Sequence, residues 1–234
     1  MATAKASNSS PKIDSSLMKA MASAFSESAL PGENEGFDAT ACNQAASFTL
    51  ETSHLRKPGK AAIALDSFTD PAGRLAMRIA MNNDDMPFLV DSISAALSAK
   101  GIIIRRLIHP VLATKRDGDG VLQSVSRKRD SGTARESFIY IETDRIDAKE
   151  RRVLEEELIA VLCDVRGAVT DWRKMLGAMS DDADSLPDGE GAALVRWFLE
   201  NNMTILGHEK IARDGTRSER LGLSRVSDYL MLSE

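Results

Sequence analysis

The sequence is poor in the residues that hold metals or crosslinks. Its 234 residues include two cysteines and three histidines. Cys42 and Cys163 lie far apart on predicted helices, without the close spacing of a metal site, and two cysteines make no disulfide framework. They read as core thiols in a reducing compartment. His54, His109 and His208 stand singly, with no His, Cys or carboxylate one helical turn away in a ligand pattern. His109 reads as a strand residue hydrogen-bonded at a bend before Pro110. Long apolar runs are also missing. Nothing approaches the roughly 20 residues of a membrane helix, and the opening MATAKASNSSPK lacks the apolar centre of a signal peptide. There is no surplus of positive charge. The net charge is −5, which offers no global field to nucleic acid or anionic lipid, and Arg127-Lys128-Arg129 reads as a solvated loop. No G-x-G-x-x-G follows a strand, and no G-x-x-x-x-G-K-[ST] occurs. Gly118-Asp119-Gly120 belongs to a turn, because a strand and not a helix follows it. No Ser or Cys stands near a His in a nucleophile signature. These absences support no catalytic residue, no metal ligand and no cofactor in this stretch. They describe a soluble, cytoplasmic protein with neither a nucleic-acid nor a membrane partner.

With 43% hydrophobic and 28% charged residues, the chain has material for one good core plus appendages. The stretch Arg74 to Arg116 organises it. Leu75, Met77, Ile79 and Met81 alternate as in a strand. Asn82-Asn83-Asp84-Asp85 reads as a polar turn. Pro87 then opens a helix, where its missing N–H costs nothing, and Asp84 and Asp85 sit where carboxylates cap orphan N–H groups. Leu89, Ile93, Ala96 and Lys100 repeat at helical spacing, with Val90 and Leu97 beside them, and Gly101 fits the left-handed position past the helix end. The chain returns as a long strand from Ile102 to Arg116, with Pro110 marking a bulge, an edge or a bend. This is a β-α-β unit.

The run NDDMPFLVDSI, the following G-x-x-I-x-R-x-I-HPV and then ESFIYIETDR resemble the N-terminal region of the large bacterial NAD-specific glutamate dehydrogenases. The resemblance runs from about Phe48 to about Gly207. It implies an ACT-like regulatory module of β-α-β-β-α-β type and NAD as the cofactor of a longer parent enzyme, whose chemistry lies downstream. It also implies a homo-oligomer, contacts with the catalytic region of the same polypeptide, and an effector site where the first strand meets the first helix. That site would involve Asn83, Asp84, Asp85, Met86 and Pro87. Two aspartates at a helix start would favour the ammonium of an amino acid, while capping and turn formation alone are the simpler account of them.

The flanking segments follow from periodicity and turn chemistry. Residues 1–12 are small and polar and read as a disordered tail. Amphipathic helices are expected over 13–29, stopped by Pro31-Gly32, and over 37–54, giving a helical segment at 13–56. Ala61 to Phe68 should pair with the Arg74 strand across Thr69-Asp70-Pro71-Ala72-Gly73. Asp117-Gly118-Asp119-Gly120 should turn the chain into a strand at Val121–Val125. Glu136 to Asp144 is apolar on both faces, as for an interior strand.

A long helix from Asp147 to Met179 opens with a capping box, Asp147 and Glu150. It carries a seam of Leu154, Leu158, Val161, Val165, Ala168, Trp172, Met175 and Met179, weakened at Gly167. The N-terminal helices are the expected cover for its distal half. The fold class is therefore α+β. A ferredoxin-like, ACT-like antiparallel sheet with helices on one face spans 57–180. A linker at 181–191 leads to the truncated start of a following domain at 192–234, with a helix at Ala192–Asn202, a strand at Met203–Ile211 and a turn at Asp214-Gly215.

Overall fold

The computed structural model describes residues 13–28 and 36–226. The predicted tail at 1–12 and the helix stop at Pro31-Gly32 fall outside them. Contacts divide the chain into two units. One holds the residues up to Asp85 together with Ser94–Ile159, and the other holds Met86–Ile93 and the residues from Ala160 onward.

The first unit carries a six-stranded antiparallel sheet. Its strands are β1 (Ala62–Thr69), β2 (Leu75–Asp84), β3 (Ile104–Ile108), β4 (Val111–Arg116), β5 (Leu122–Ser126) and β6 (Ala134–Asp144). The order is β1-β2-β6-β4-β5, and β3 pairs with the other end of β6. The β1–β2 hairpin forms as its turn residues predict. The Asp70 carboxylate accepts from the Arg74 N–H at 2.8 Å, and Gly73 takes the left-handed conformation with φ 79°. β6 is interior and buried from Glu136 to Ile141. The expected single strand from Ile102 to Arg116 is instead two. His109-Pro110 interrupts it because Pro110 has no N–H for the ladder. The Pro110 carbonyl still accepts from Phe138 N–H at 3.0 Å, so β3 and β4 share one partner strand across the break. In a β-α-β-β-α-β arrangement a strand after the second helix flanks the first strand; here β1, from ahead in the sequence, lies along β2.

Helices α1 (Ser15–Ser28) and α2 (Ala39–Ser53) precede the sheet. Asp38 caps α2 by accepting from Ala41 N–H at 2.8 Å. Met21, Phe25, Ala46 and Leu50 form one core with Ala80, Phe138 and Tyr140. The N-terminal helices are thus part of the sheet unit and not a separate segment. The distal seam of the long helix belongs to the second unit. Burying those large side chains contributes roughly 1.5–3 kcal/mol each.

A row of charges crosses this sheet. Asp66, Arg78, Glu142 and Arg106 stand in register on β1, β2, β6 and β3, with alternating sign. Arg78 reaches Asp66 at 2.8 Å and Arg106 reaches Glu142 at 3.0 Å. Phe48 stacks 4.2 Å from the Arg78 guanidinium and Phe37 stacks 4.4 Å from that of Arg106. Cation–π contact lets aromatic residues cover these cations without stranding charge.

Two local expectations at the centre change. The Asn82–Asp85 run is no turn. β2 continues through Asp84, with Asn82 and Asn83 fully buried, because the Asn82 amide finds partners inside the sheet. Helix α3 (Leu89–Ala99) starts after Pro87, since Phe88 takes φ 69°, a left-handed conformation no helix contains. Asp84 and Asp85 bond within the sheet unit instead, to Arg56 and to Ser137 and Arg135. Gly101, with φ 70°, ends α3 as predicted, and Ile102 N–H bonds back to the Leu97 carbonyl at 3.0 Å.

Helix α4 (Ala148–Ser185) opens on the predicted box. Asp147 accepts from Glu150 N–H at 2.8 Å, and Glu150 accepts from Asp147 N–H at 3.4 Å. It runs past Met179 through the acidic stretch, which reduces the expected 181–191 linker to 186–189. The second unit continues with α5 (Glu190–Trp197), a π-helical turn (Phe198–Asn202), β7 (Gly207–Ile211), β8 (Arg217–Gly222) and α6 (Leu223–Val226). β7 starts later than expected, and β8, which the sequence reading did not anticipate, pairs with it. Gly167 does not break α4. It makes room, since a Cβ there would lie 2.7 Å from the Val226 side chain. Met175 is fully buried, and the Asp171 carboxylate accepts from Gly222 N–H at 3.0 Å and Arg225 Nε at 2.8 Å. The β8–α6 corner thus lies along α4.

Candidate functional site

The strongest concentration of buried polar chemistry lies in the first unit, at one end of the sheet. Pairing sets Asp84 of β2 directly opposite Glu136 of β6. Like charges facing across a ladder destabilise it. Arg56, in the segment after α2, resolves the conflict by donating from Nη2 to Asp84 Oδ1 and Glu136 Oε1, each at 2.7 Å. Arg116, at the end of β4, grips the same carboxylate from the other side, with Nε at 2.8 Å from Oε1 and Nη2 at 2.9 Å from Oε2. Asn82 adds its amide N–H to Oε2 at 3.0 Å and accepts from Arg116 Nη2 at 2.9 Å. Arg116 Nη1 donates to the Ser53 and Gly120 carbonyls at 3.0 and 2.8 Å.

Gly120 is required here. Its φ is 90°, and a Cβ would sit 2.5 Å from the Arg56 carbonyl oxygen. The local sequence builds the corner, since Arg56 N–H donates to the Gly120 carbonyl and Leu122 N–H to the His54 carbonyl.

Glu136 is only 1% exposed. Burial alone would raise its pKa. The hydrogen bonds from Arg116 and Arg56 outweigh burial and hold the carboxyl at about 2. Burial likewise works to lower the Arg56 pKa, and Glu136 and Asp84 overcome it and raise it. Such a carboxylate is ionised near neutral pH and saturated with donors. It cannot serve as a general base near neutral pH, because its pKa lies far below that range. What it can do is fix four chain segments against one another.

Of the five residues predicted as an effector site, three lie in the first unit and two in the second. Asn83 is buried, Asp84 is held by Arg56, and Asp85 accepts from Ser137 Oγ at 3.0 Å and Arg135 Nε at 3.3 Å. Met86 and Pro87 belong to the second unit. There Pro87, Phe88, Ala168, Val169, Trp172 and Ile205 line an apolar pocket of about 300 Å³. His109 sits at the β3–β4 break. Burial lowers its pKa, with Asp85 working against that, and its buried Nε2 has no hydrogen-bond partner among the described residues. Cys42 is a buried core thiol whose pKa burial raises. Cys163 is exposed on α4 and is not a core residue. Among the described residues, no group of three or more His, Cys, Asp or Glu stands together as a metal site, and no helix is long and apolar enough to cross a membrane.

Sequence reasoning missed Arg56, Asn82, Arg116 and Glu136. One signal was available. Glu136 shares the period-2 phase of Phe138 and Tyr140, so a covered strand face had to contain a carboxylate that needs cations.

Residues 22–158 match the family described as glutamate dehydrogenase, ACT1 domain, a stretch that runs from the second half of α1 to the first turns of α4. The chain is similar to the NAD-specific glutamate dehydrogenase of Halomonas elongata, 35% identical over 149 residues, which are 56% of this chain and 9% of that protein. It is also similar to that of Pseudomonas aeruginosa, 32% identical over 164 residues, 61% of this chain and 10% of that protein. A third relative, from Mycobacterium tuberculosis, is 25% identical over 170 residues. The matched stretch thus spans about a tenth of the length of the relatives it resembles.

Proposed function

Because the chain belongs to the glutamate dehydrogenase ACT1 domain family, we propose that it is a non-catalytic regulatory and assembly segment of an NAD-dependent glutamate dehydrogenase. The parent reaction would be L-glutamate, water and NAD giving 2-oxoglutarate, ammonium and NADH. NAD would bind elsewhere in the polypeptide and not in this segment. The catalytic region of the same chain and further copies of it would be the partners, in the cytoplasm. The observation that carries this reading is the coincidence of the family match with the unit that holds the sheet and the Arg56–Glu136–Arg116 network.

Within that reading, the network favours a ligand-free assembly role over amino-acid sensing. Apart from the buried Arg56 Nε, its donors are spent on internal carboxylates and carbonyls, so we read this end of the sheet as a platform and not an open cradle. The test is a pair of measurements. NADH formation from glutamate should be present in the full-length enzyme and absent from the 234-residue chain, and turnover by the chain alone would overturn the non-catalytic assignment. Calorimetric titration of the chain with amino acids should give no heat, and saturable heat would restore the sensor reading.

A further inference from the structure

The sheet of the first unit has three edge strands, β1, β3 and β5. A strand edge presents a row of unpaired N–H and C=O groups, and proteins blunt it with short strands, bulges, lysine, proline or a covering segment. β3 and β5 are blunted in this way. Each has five residues and a register shift, against β6 and β4 respectively. β5 is also held by the segment after α2, through the Leu55–Val121 bridge and the Leu122 N–H donated to the His54 carbonyl at 2.9 Å. β1 is built differently. It has eight residues, pairs with β2 from Ala62 to Thr69 without a shift, and contains no lysine, arginine or proline. Among the described residues, no strand lies on its other side. Its one charge, Asp66, is neutralised by Arg78 at 2.8 Å, and Ile63, Leu65 and Phe68 are only half-buried.

We propose that the β1 edge is the surface on which a second copy of this chain docks, pairing antiparallel with its own β1 so that two sheets become one. The proposal rests on the assembly reading above and gives it a surface. The sequence of β1 selects the occupant, because it is self-complementary in one register. Residues directly opposite in an antiparallel ladder share a face of the sheet, so a two-fold axis that keeps each helix layer on its own side passes through a residue. An axis at Asp66 would set that carboxylate against its own counterpart, and like charges directly opposite destabilise a ladder. An axis at Ala64 pairs only Ala62 to Asp66. An axis at Leu65 pairs Ala62 to Phe68. Leu65 then faces its own counterpart, Ala62 faces Phe68, Ile63 faces Ser67 and Asp66 faces Ala64, with no like charges opposed. The backbone groups of β1 that point away from β2 find partners along this register.

Sedimentation equilibrium of the 234-residue chain should show monomer–dimer exchange in about the micromolar range, as for a small interface. Leu65→Lys sets two ammonium groups against each other at the axis and should weaken the dimer by about tenfold or more, with far-UV circular dichroism showing the sheet intact. Crosslinking reads the register and does not depend on that variant folding. In a Cys163→Ser background, which removes the exposed native thiol, Leu65→Cys should give a covalent dimer with a short bis-maleimide. Thr69→Cys should not, because its two copies would lie about eight residues apart along the ladder, roughly 27 Å. A chain that stays monomeric up to about 100 μM would overturn the proposal. A dimer insensitive to Leu65→Lys, or one crosslinked equally well through Thr69→Cys, would also overturn it, because the copies then meet on another surface or in another register. None of these measurements uses activity. NADH formation by the full-length enzyme tests the dehydrogenase reading separately, so either can fail without the other.

Discussion

Replacing Glu136 by glutamine removes the charge at the centre of the buried network while keeping its shape. The magnitude follows from the carboxyl's pKa. It is held at about 2 against an ordinary 4.5, and at about 1.4 kcal/mol per unit the folded state gains about 3 kcal/mol from the ionised form at neutral pH. Stranding Arg56 and Arg116 sets the upper end, since breaking a buried pair costs about 3–5 kcal/mol. The pH sign is fixed by the depressed pKa. The contribution is complete above 4.5 and is lost as pH falls through 4.5 towards 2. Wild type and Glu136→Gln should therefore differ by about 3 kcal/mol at pH 7 and by less than half of that at about pH 3. Urea unfolding reads this as a midpoint shift of about 1–3 M at neutral pH. Far-UV circular dichroism is the probe to use, because both tryptophans, Trp172 and Trp197, lie in the second unit and their fluorescence follows that unit. A gap that stays constant between pH 7 and 3, or one below about 1 kcal/mol at pH 7, would refute the claim that the arginines hold this carboxylate.

Gly120→Ala should lower the stability of the sheet unit by at least about 1–2 kcal/mol, from left-handed strain and the 2.5 Å approach to the Arg56 carbonyl; an unchanged urea midpoint would contradict this. Asp147→Ala should cost about 1 kcal/mol through loss of the α4 cap, visible as reduced helical signal at intermediate urea. Asp85→Ala should cost only about 1 kcal/mol, from the Ser137 and Arg135 bonds, and should leave calorimetric titrations with amino acids flat. Removing residues 1–56 should abolish cooperative unfolding of the sheet unit, because it takes away Phe25, Leu50 and Arg56 together; a truncated chain as stable as the parent would show that these helices are dispensable.

What was legible in the sequence was local. Alternation in Leu75–Met81, both-face hydrophobicity in Phe138–Ile141, the Asp147–Glu150 box and Gly101 all act within a few residues, and each appears where expected. Asn82–Asp85 misled because consecutive Asn and Asp residues make turns when water is their partner. Here the decisive partner of Glu136 and Asp84 is Arg56, 80 residues ahead of Glu136, and no local pattern announces a pairing at that distance. The acidic end of α4 misled in the same way. Once a helix is nucleated, adding residues is cheap, so a stretch that reads as a linker continues as helix to Ser185. The network site depends on tertiary placement, which no local pattern in the sequence encodes.

The row Asp66, Arg78, Glu142, Arg106 also determines where this chain can change length. One residue inserted in β2 ahead of Arg78 would rotate every later side chain to the opposite face. Arg78 would leave Asp66 and Phe48 and take the side now filled by Ile79 and Met81, both fully buried. Two inserted residues would restore the face but move Arg78 off the rung it shares with Glu142. Neither change keeps the alternation of charge. Extra residues fit without such a shift in exposed turns such as 71–73, 117–119 and 127–132. Length differences among homologous sheets should gather at such turns, while β2 and β6 keep a constant residue count around the row.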